Sequence, residues 1–446
     1  MVGTIIGTGV YFKAAVMAQL VASPALVLAA WAVAGLLSLA GALTYAELGG
    51  MLPHAGGEYV YLRAAYGPGP AFLCGWMRFV VASAGNAALG VGAATFLSAV
   101  VPMNAVWVER TFHLLGREVH WQLGIREIAA MAIILFFGSL NCAGVAFGGR
   151  VQFFLSSAKV LGIAAIVIGA FLFSSTGTVA HFRTAGTHPT GGFTAFGAAV
   201  LAALWACEGW AFMPMVAGEV RNPERNVPRA LITGVLIVLA LYGLANLSYF
   251  YALPFDEVAA SNSTAHRDAL PVAAKAVHSF LGDKGGPVVT AVFLLSVVGA
   301  LNGVLLAMSR IPFAMARDGL FFAKFGSLSR GTGVPAWSVM MLSIWTAALA
   351  LSGTFDQLTD MTIFAVWIFY ALGAGAVFIL RRKMPDAPRP YRTIGYPAVP
   401  MLFLLLAVLL VINTLVASPV ESAAGLLLIA LGLPVYFYYR PRRRGN

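Results

Sequence analysis

Residues 1–13 read MVGTIIGTGVYFK, and residues 201–230 read LAALWACEGWAFMPMVAGEVRNPERNVPRA. Both stretches are apolar and both are interrupted, the first by Gly7, Thr8 and Gly9, the second by Glu208, Gly209 and Pro214. An isolated GTIIGTG has two readings. Small residues three or four apart let membrane helices approach closely. Alternatively, the glycines unwind the span and expose backbone N–H groups able to hold an anion such as a carboxylate. The second polar break, five spans later, favours unwinding, because irregular backbone at membrane depth persists only where it lines a cavity. Broken first and sixth spans imply two inverted five-helix repeats whose breaks meet near the midplane, one offering N–H donors and the other free carbonyls. A zwitterion fits that pair.

The rest of the chain is built for a bilayer. Of 446 residues, 60% are hydrophobic and only 10% charged, and the mean hydropathy is +0.85. Apolar runs of about 20 residues, each long enough to cross the hydrocarbon as a helix, recur over 1–20, 25–48, 70–101, 127–145, 150–174, 195–217, 230–253, 287–315, 335–352, 358–380, 397–416 and 420–439. Sustained alternation of apolar and polar residues is missing, which argues against a membrane β-barrel. The expectation is an all-α polytopic membrane protein of twelve transmembrane helices. Twelve spans put both termini on one side, and the loops on that side hold eighteen lysines and arginines against seven opposite. The imbalance predicts cytoplasmic termini and accounts for the net charge of +11 as topology, without a nucleic-acid partner.

Three cations fall inside the spans: Lys13, Arg78 and Lys159. Each needs a wet cavity, a partner or a route to the interface, since a charge at membrane depth costs about 2.5–3.5 kcal/mol. Lys159 lies eight residues beyond Val151, roughly 12 Å deep at 1.5 Å per residue, too deep for easy snorkelling. Arg78 is nearer a helix end and is expected to snorkel. The three cysteines, Cys74, Cys142 and Cys207, sit in apolar segments, and neither their spacing nor that of the seven histidines forms a metal or disulfide pattern. No cofactor and no metal are expected.

Seven stretches resemble one family: VGTIIGTGVYF, YAELGGMLPHAGGEYVYLRAAYG, LNCAGVAFGGRVQFFLSSAKVLG, WACEGWAF, GEVRNPERNVPRAL, LNGVLLAMSRIPFAMARDG and SPVESAAGLLLIALGLPVYFYY. Together they are similar to the amino acid-polyamine-organocation (APC) superfamily, and within it to the L-type amino acid transporters and bacterial amino acid exchanger-like permeases. The resemblance implies a LeuT-like 5+5 inverted repeat with discontinuous helices 1 and 6 and two extra C-terminal helices. The repeats would cover 1–175 and 195–382, with helices 11 and 12 in 396–440. It implies sodium-independent amino acid transport by alternating access, often as exchange, in the cell membrane. By position, Thr4, Ile5, Gly7, Thr8 and Gly9 match the carboxylate-binding break of helix 1. Trp205, Cys207 and Glu208 match the unwound part of helix 6, whose carbonyls, with that of Ile5, would take the amine. Trp205 occupies the aromatic position that closes over the substrate from outside. Lys159 matches a helix 5 lysine standing where sodium-coupled relatives bind an ion.

The same resemblance places Val81, Ala82 and Asn86 on helix 3, and Ser296 and Asn302 on helix 8, around the side-chain pocket. Glu47 and Glu219 sit beside arginines and are expected to form gate or loop salt bridges at an exposed interface, each contributing about 0–1 kcal/mol. Two departures stand out. Only Met1 and Val2 precede Gly3, where the family carries further residues, so either the start lies upstream or the inner gate is thin. The loop 102–124 lacks the cysteine through which heteromeric light subunits join a glycoprotein heavy chain, so no disulfide-linked partner is expected. Glu208 admits three roles: meeting substrate, exchanging a proton, or pairing with a neighbouring group. The first two lead to an alternative, a proton-coupled permease for amino acids, including cationic ones or polyamines. A membrane amino acid sensor is a more distant alternative. An enzyme is not expected, because the charged residues at depth form no catalytic constellation.

Overall fold

The computed structural model describes residues 1–98, 101–103, 105–114, 117–184, 186, 192–263, 266, 269–352, 355–417 and 419–440. The first apolar run is split into α1 (Val2–Ile5) and α2 (Gly9–Val21), with Ile6 leaving the helix in an extended conformation. Then come α3 (Pro24–Met51), which starts on a proline, α4 (Glu58–Tyr66), α5 (Pro68–Val80) and α6 (Ser83–Leu97). Proline suits the first helical turn, where its missing N–H would be unpaired in any case. A β-hairpin follows, β1 (Val106–Leu114) antiparallel to β2 (Arg117–Gly124), then α7 (Ile125–Cys142) and α8 (Val145–Phe173).

The sixth run is α9 (Gly192–Ala206), a break at residues 207–209, and a 3₁₀ segment, Trp210–Glu219, that carries Pro214. Beyond it lie α10 (Pro223–Ala252), α11 (Phe255–Ala259), α12 (Val272–Leu281), α13 (Gly285–Met308), α14 (Arg310–Arg317), α15 (Ala336–Ala350), α16 (Phe355–Lys383), α17 (Ala398–Ala417), α18 (Pro419–Ala430) and α19 (Gly432–Tyr439). Among the described residues, ten stretches are long and apolar enough to cross a membrane. Two shorter apolar helices, Gly9–Val21 and Ala336–Ala350, accompany them. The chain is a mostly helical, multi-pass membrane protein. The β-hairpin corrects the all-α expectation: it lies in the loop 102–124, and Trp121 ties it to the bundle by donating from Nε1 to the Leu351 carbonyl, 2.5 Å away.

Helix α8 shows how the bundle sorts its faces. Phe153, Phe154, Leu161, Ile168 and Leu172 are exposed along one side, while Lys159 on the other is fully buried. An apolar stripe of that length belongs against lipid tails, and the polar group faces inward. Inside, α3 packs along α10, α2 against α9, and α13 against both α6 and α8. Tyr11, Phe12, Phe96 and Phe293 form an aromatic cluster that joins α2, α6 and α13.

Ion pairs hold the connecting segments. Glu47, at the end of α3, is 2% exposed, and its two oxygens accept from Arg381 Nε and Nη2 at 2.8 and 2.7 Å. Oε2 also accepts the backbone N–H of Thr393 at 2.7 Å, and Arg389 stands 3.6 Å from Oε1. The expected salt bridge is therefore buried on its acidic side rather than surface-exposed. Glu219 pairs in bidentate fashion with Arg310, which is 1% exposed. Asp318 takes Arg63 at 2.6 Å and the Tyr59 hydroxyl at 2.7 Å, fastening α4 to the end of α14.

Replacing Glu47 by alanine strips both arginines and a buried N–H of their acceptor. A loss of about 2 kcal/mol is expected, less than a fully enclosed pair would cost because Arg381 keeps some solvent. Thermal unfolding in detergent measures it, and an unshifted midpoint would contradict the burial argument.

Candidate functional site

The two breaks meet. Thr4 Oγ1 lies 2.6 Å from the Met1 carbonyl and 3.1 Å from that of Gly209, so the hydroxyl links α1, just before the first break, to the second break. Gly209 has φ +117°, a conformation that L side chains rarely adopt, and a Cβ there would stand 2.6 Å from the Thr4 carbonyl oxygen. Glycine is needed for both reasons. Gly9, where α2 starts, faces Ala206, the last residue of α9, and a Cβ on Gly9 would come within 2.3 Å of the alanine Cβ. Tyr242 of α10 then reaches in, its hydroxyl 3.2 Å from the carbonyls of both Ile5 and Ala206.

Unwinding leaves the carbonyls of Gly3 and Ile6 with no helical partner, and Lys159 takes both. Its ammonium donates to Gly3 O at 2.9 Å, Ile6 O at 2.8 Å and Ser296 O at 2.7 Å. An ammonium has three N–H donors, so this one is fully satisfied while completely buried. Ser296 adds a hydroxyl donor to Gly7 O at 3.0 Å.

Beside the breaks lies a cavity of about 300 Å³. Thr4, Ile5, Gly7, Thr8 and Gly9 line it from the first break, and Trp205, Ala206 and Glu208 from the second. Arg78, Ala82 and Asn86 line it from α5, α6 and their junction; Leu89, Leu204 and Val304 supply apolar wall. Cavities of this size and mixed lining suit small-molecule ligands.

One corner of this wall is charged. Arg78 is 1% exposed and does not snorkel, which corrects the sequence expectation: Glu58, fully buried on α4, meets it. Arg78 Nε and Nη2 both donate to Glu58 Oε2, at 2.9 and 2.7 Å, and Tyr45 donates to Oε1 at 3.0 Å. The pairing replaces a route to the interface because α4 and α5 fold back on each other at Gly67, bringing the carboxylate inside. The guanidinium also lies 5.7 Å from the ring centre of Phe212 and 5.3 Å from that of Tyr370. Tyr370, on α16, donates its hydroxyl to Glu208.

The sequence profile of amino acid permeases matches residues 1–437. The chain belongs to the amino acid permease family. It is 31% identical to the serine/threonine exchanger SteT of Bacillus subtilis, over 99% of this chain and 95% of that one. It is 29% identical to the human b(0,+)-type amino acid transporter 1, over 98% of this chain and 85% of that one. The human cystine/glutamate transporter is 28% identical, with 98% and 83% covered. The permease family and these relatives are transporters.

Set against this permease's geometry, nine of the residues singled out in the sequence line the cavity: Thr4, Ile5, Gly7, Thr8, Gly9, Ala82, Asn86, Trp205 and Glu208. Val81, Cys207, Ser296 and Asn302 are buried but lie outside its lining. Ser296 supports the first break from behind, and Asn302 donates to Gln152 at 2.7 Å while accepting from Asn141 at 3.0 Å. Lys159 also stands behind the break, and Glu47 and Glu219 are in ion pairs outside the lining. Sequence reasoning missed Glu58, Tyr242 and Tyr370, together with the cavity-facing position of Arg78. A cation inside an apolar run signalled Arg78, but its partner lies on another helix.

Lys159→Met removes the donor for two buried carbonyls, those of Gly3 and Ile6, that no helical N–H reaches. Each is expected to cost roughly 1–3 kcal/mol, and ligand binding at the break should fall with them. Thermal unfolding with and without amino acid checks both effects; a variant as stable as the parent would refute the assignment of the ammonium as the clasp of the break.

Proposed function

We propose that this permease is a sodium-independent amino acid transporter working by alternating access, exchanging neutral or small amino acids across the cell membrane. The observation that carries the reading is one cavity lined by both chain breaks while a buried ammonium occupies the carbonyls behind the first. Thr8 and Gly9, at the start of α2, offer backbone N–H groups to a substrate carboxylate, and Ile5 with the break at 207–209 offers carbonyls to its amine. Trp205 and Glu208 complete the wall, and Ala82 and Asn86 border the side chain. The Lys159 side-chain nitrogen takes up the carbonyls that a coupling cation at this place would need, which favours sodium independence.

The proposed architecture is a LeuT-like 5+5 inverted repeat over 1–175 and 195–382, followed by two helices in 396–440. The proposed topology has twelve spans with both termini in the cytoplasm, the side that the positive-inside imbalance favours. Glu47 and Glu219, through Arg381 and Arg310, act as ties that alternate with the state of the gate. The protein works without a disulfide-linked heavy chain. The exchanger relative from Bacillus subtilis supports exchange. A second reading, proton-coupled uptake that includes cationic amino acids, is favoured by Glu208 lining the cavity within reach of Tyr370.

Proteoliposomes discriminate between them. Under exchange, labelled amino acid enters only vesicles preloaded with unlabelled amino acid, and replacing external sodium with potassium leaves the rate unchanged. Accumulation in empty vesicles under a proton gradient would establish the second reading, and dependence on sodium would defeat both.

A further inference from the structure

Four groups meet at one corner of the cavity: Glu58 on α4, Arg78 on α5 and Tyr370 on α16, all buried, and the half-buried Glu208 in the second break. They comprise two carboxylates and one guanidinium. Arg78 commits both Nε and Nη2 to a single oxygen of Glu58, whose other oxygen is taken by Tyr45. Glu208, which lines the cavity together with Arg78, receives the neutral hydroxyl of Tyr370 instead of the guanidinium. Glu58 itself does not line the cavity.

A carboxylate in a low-dielectric interior requires a counter-charge or a proton. The other titratable side chains described around this corner are Tyr45 from α3, Tyr61 from α4, Cys74 from α5 and Cys207 beside Glu208, all neutral in their ordinary forms. Lys159 is held at the carbonyls behind the first break. We propose that Glu58 sets the charge class of the substrate from outside the cavity. By holding Arg78 it leaves Glu208 to be balanced from the cavity side, either by a cationic amino acid side chain with Glu208 ionised or by a proton when the amino acid is neutral. Proton and side-chain cation therefore exclude each other at Glu208. The proton comes from, and returns to, the solution that fills the open cavity. This inference rests on the amino acid transport reading and deepens it.

The test is binding of lysine and of serine to the purified full chain across a pH series. In the parent protein, lysine binds more tightly as pH rises and serine more tightly as pH falls. In Glu58→Gln, Arg78 is free to balance Glu208, so lysine affinity falls about tenfold or more relative to serine, and serine binding loses its pH dependence. Glu58→Gln combined with Arg78→Met again leaves one unbalanced carboxylate and restores the parental preference, because a buried pair can be exchanged for neutral groups with little loss. A folded Glu58→Gln protein with the parental lysine-to-serine ratio overturns the proposal, as does a double variant that keeps the profile of the single one. If Glu58→Gln does not fold, Arg78→Met alone decides, since two unbalanced carboxylates must raise the lysine-to-serine ratio and an unchanged ratio refutes the assignment. A parent protein that binds no amino acid at any pH defeats the transport reading itself, an outcome distinct from binding with an unaltered ratio.

Discussion

The Lys159 ammonium is the constraint on which the site depends. Opening a helix inside a membrane strands backbone carbonyls that water cannot reach, and a break at Ile6–Thr8 would otherwise close back into helix. Three short hydrogen bonds to Gly3, Ile6 and Ser296 resolve both problems at once. The lysine nitrogen gains three acceptors, and the carbonyls of Gly3 and Ile6 avoid burial without donors. Because the three acceptors come from α1, the break and α13, the same contact fixes the position of the break relative to the rest of the bundle.

The second break is held differently. Gly209 adopts a positive φ and lets the chain press against the Thr4 carbonyl, while Tyr242 reaches the open carbonyls of Ile5 and Ala206. Neither contact introduces a formal charge. Charge enters at the edge, through Glu208, Arg78 and Glu58, and the pairing chosen by Arg78 determines which carboxylate faces the cavity without a cation. In a low-dielectric wall such a choice of partner outweighs small differences in shape.

The ties formed by Glu47, Glu219 and Asp318 lie in the connecting segments and at helix ends. Each joins elements far apart in the chain, such as α3 with α16, so each restrains a relative movement of helices more than it stabilises any one of them. Partial exposure of Arg63 and Arg381 leaves these pairs open to competition from water.

Much of this was legible in the sequence, and the physics of that legibility is local. Apolar run length specifies a span, since hydrocarbon thickness and rise per residue are common to all bilayer helices. The Gly7–Gly9 and Glu208–Pro214 interruptions announce the breaks, because glycine, proline and a carboxylate are costly inside an apolar helix. The depth of Lys159 announces a polar interior. Tertiary structure alone decided who meets whom. Arg78 was expected to reach the interface, and only the reversal at Gly67 that lays α4 beside α5 supplies Glu58 as its partner. Tyr370 meets Glu208 at a sequence separation of 162, and Tyr242 meets Ile5 at 237. The β-hairpin of 106–124 was likewise read as loop: its pairing is local and residues 118–124 alternate polar and apolar, but the segment is short and polar beside the apolar runs that bound it. Composition and spacing determine what each segment can bury, but a buried charge is satisfied by a specific atom on another helix, and that atom is chosen by packing.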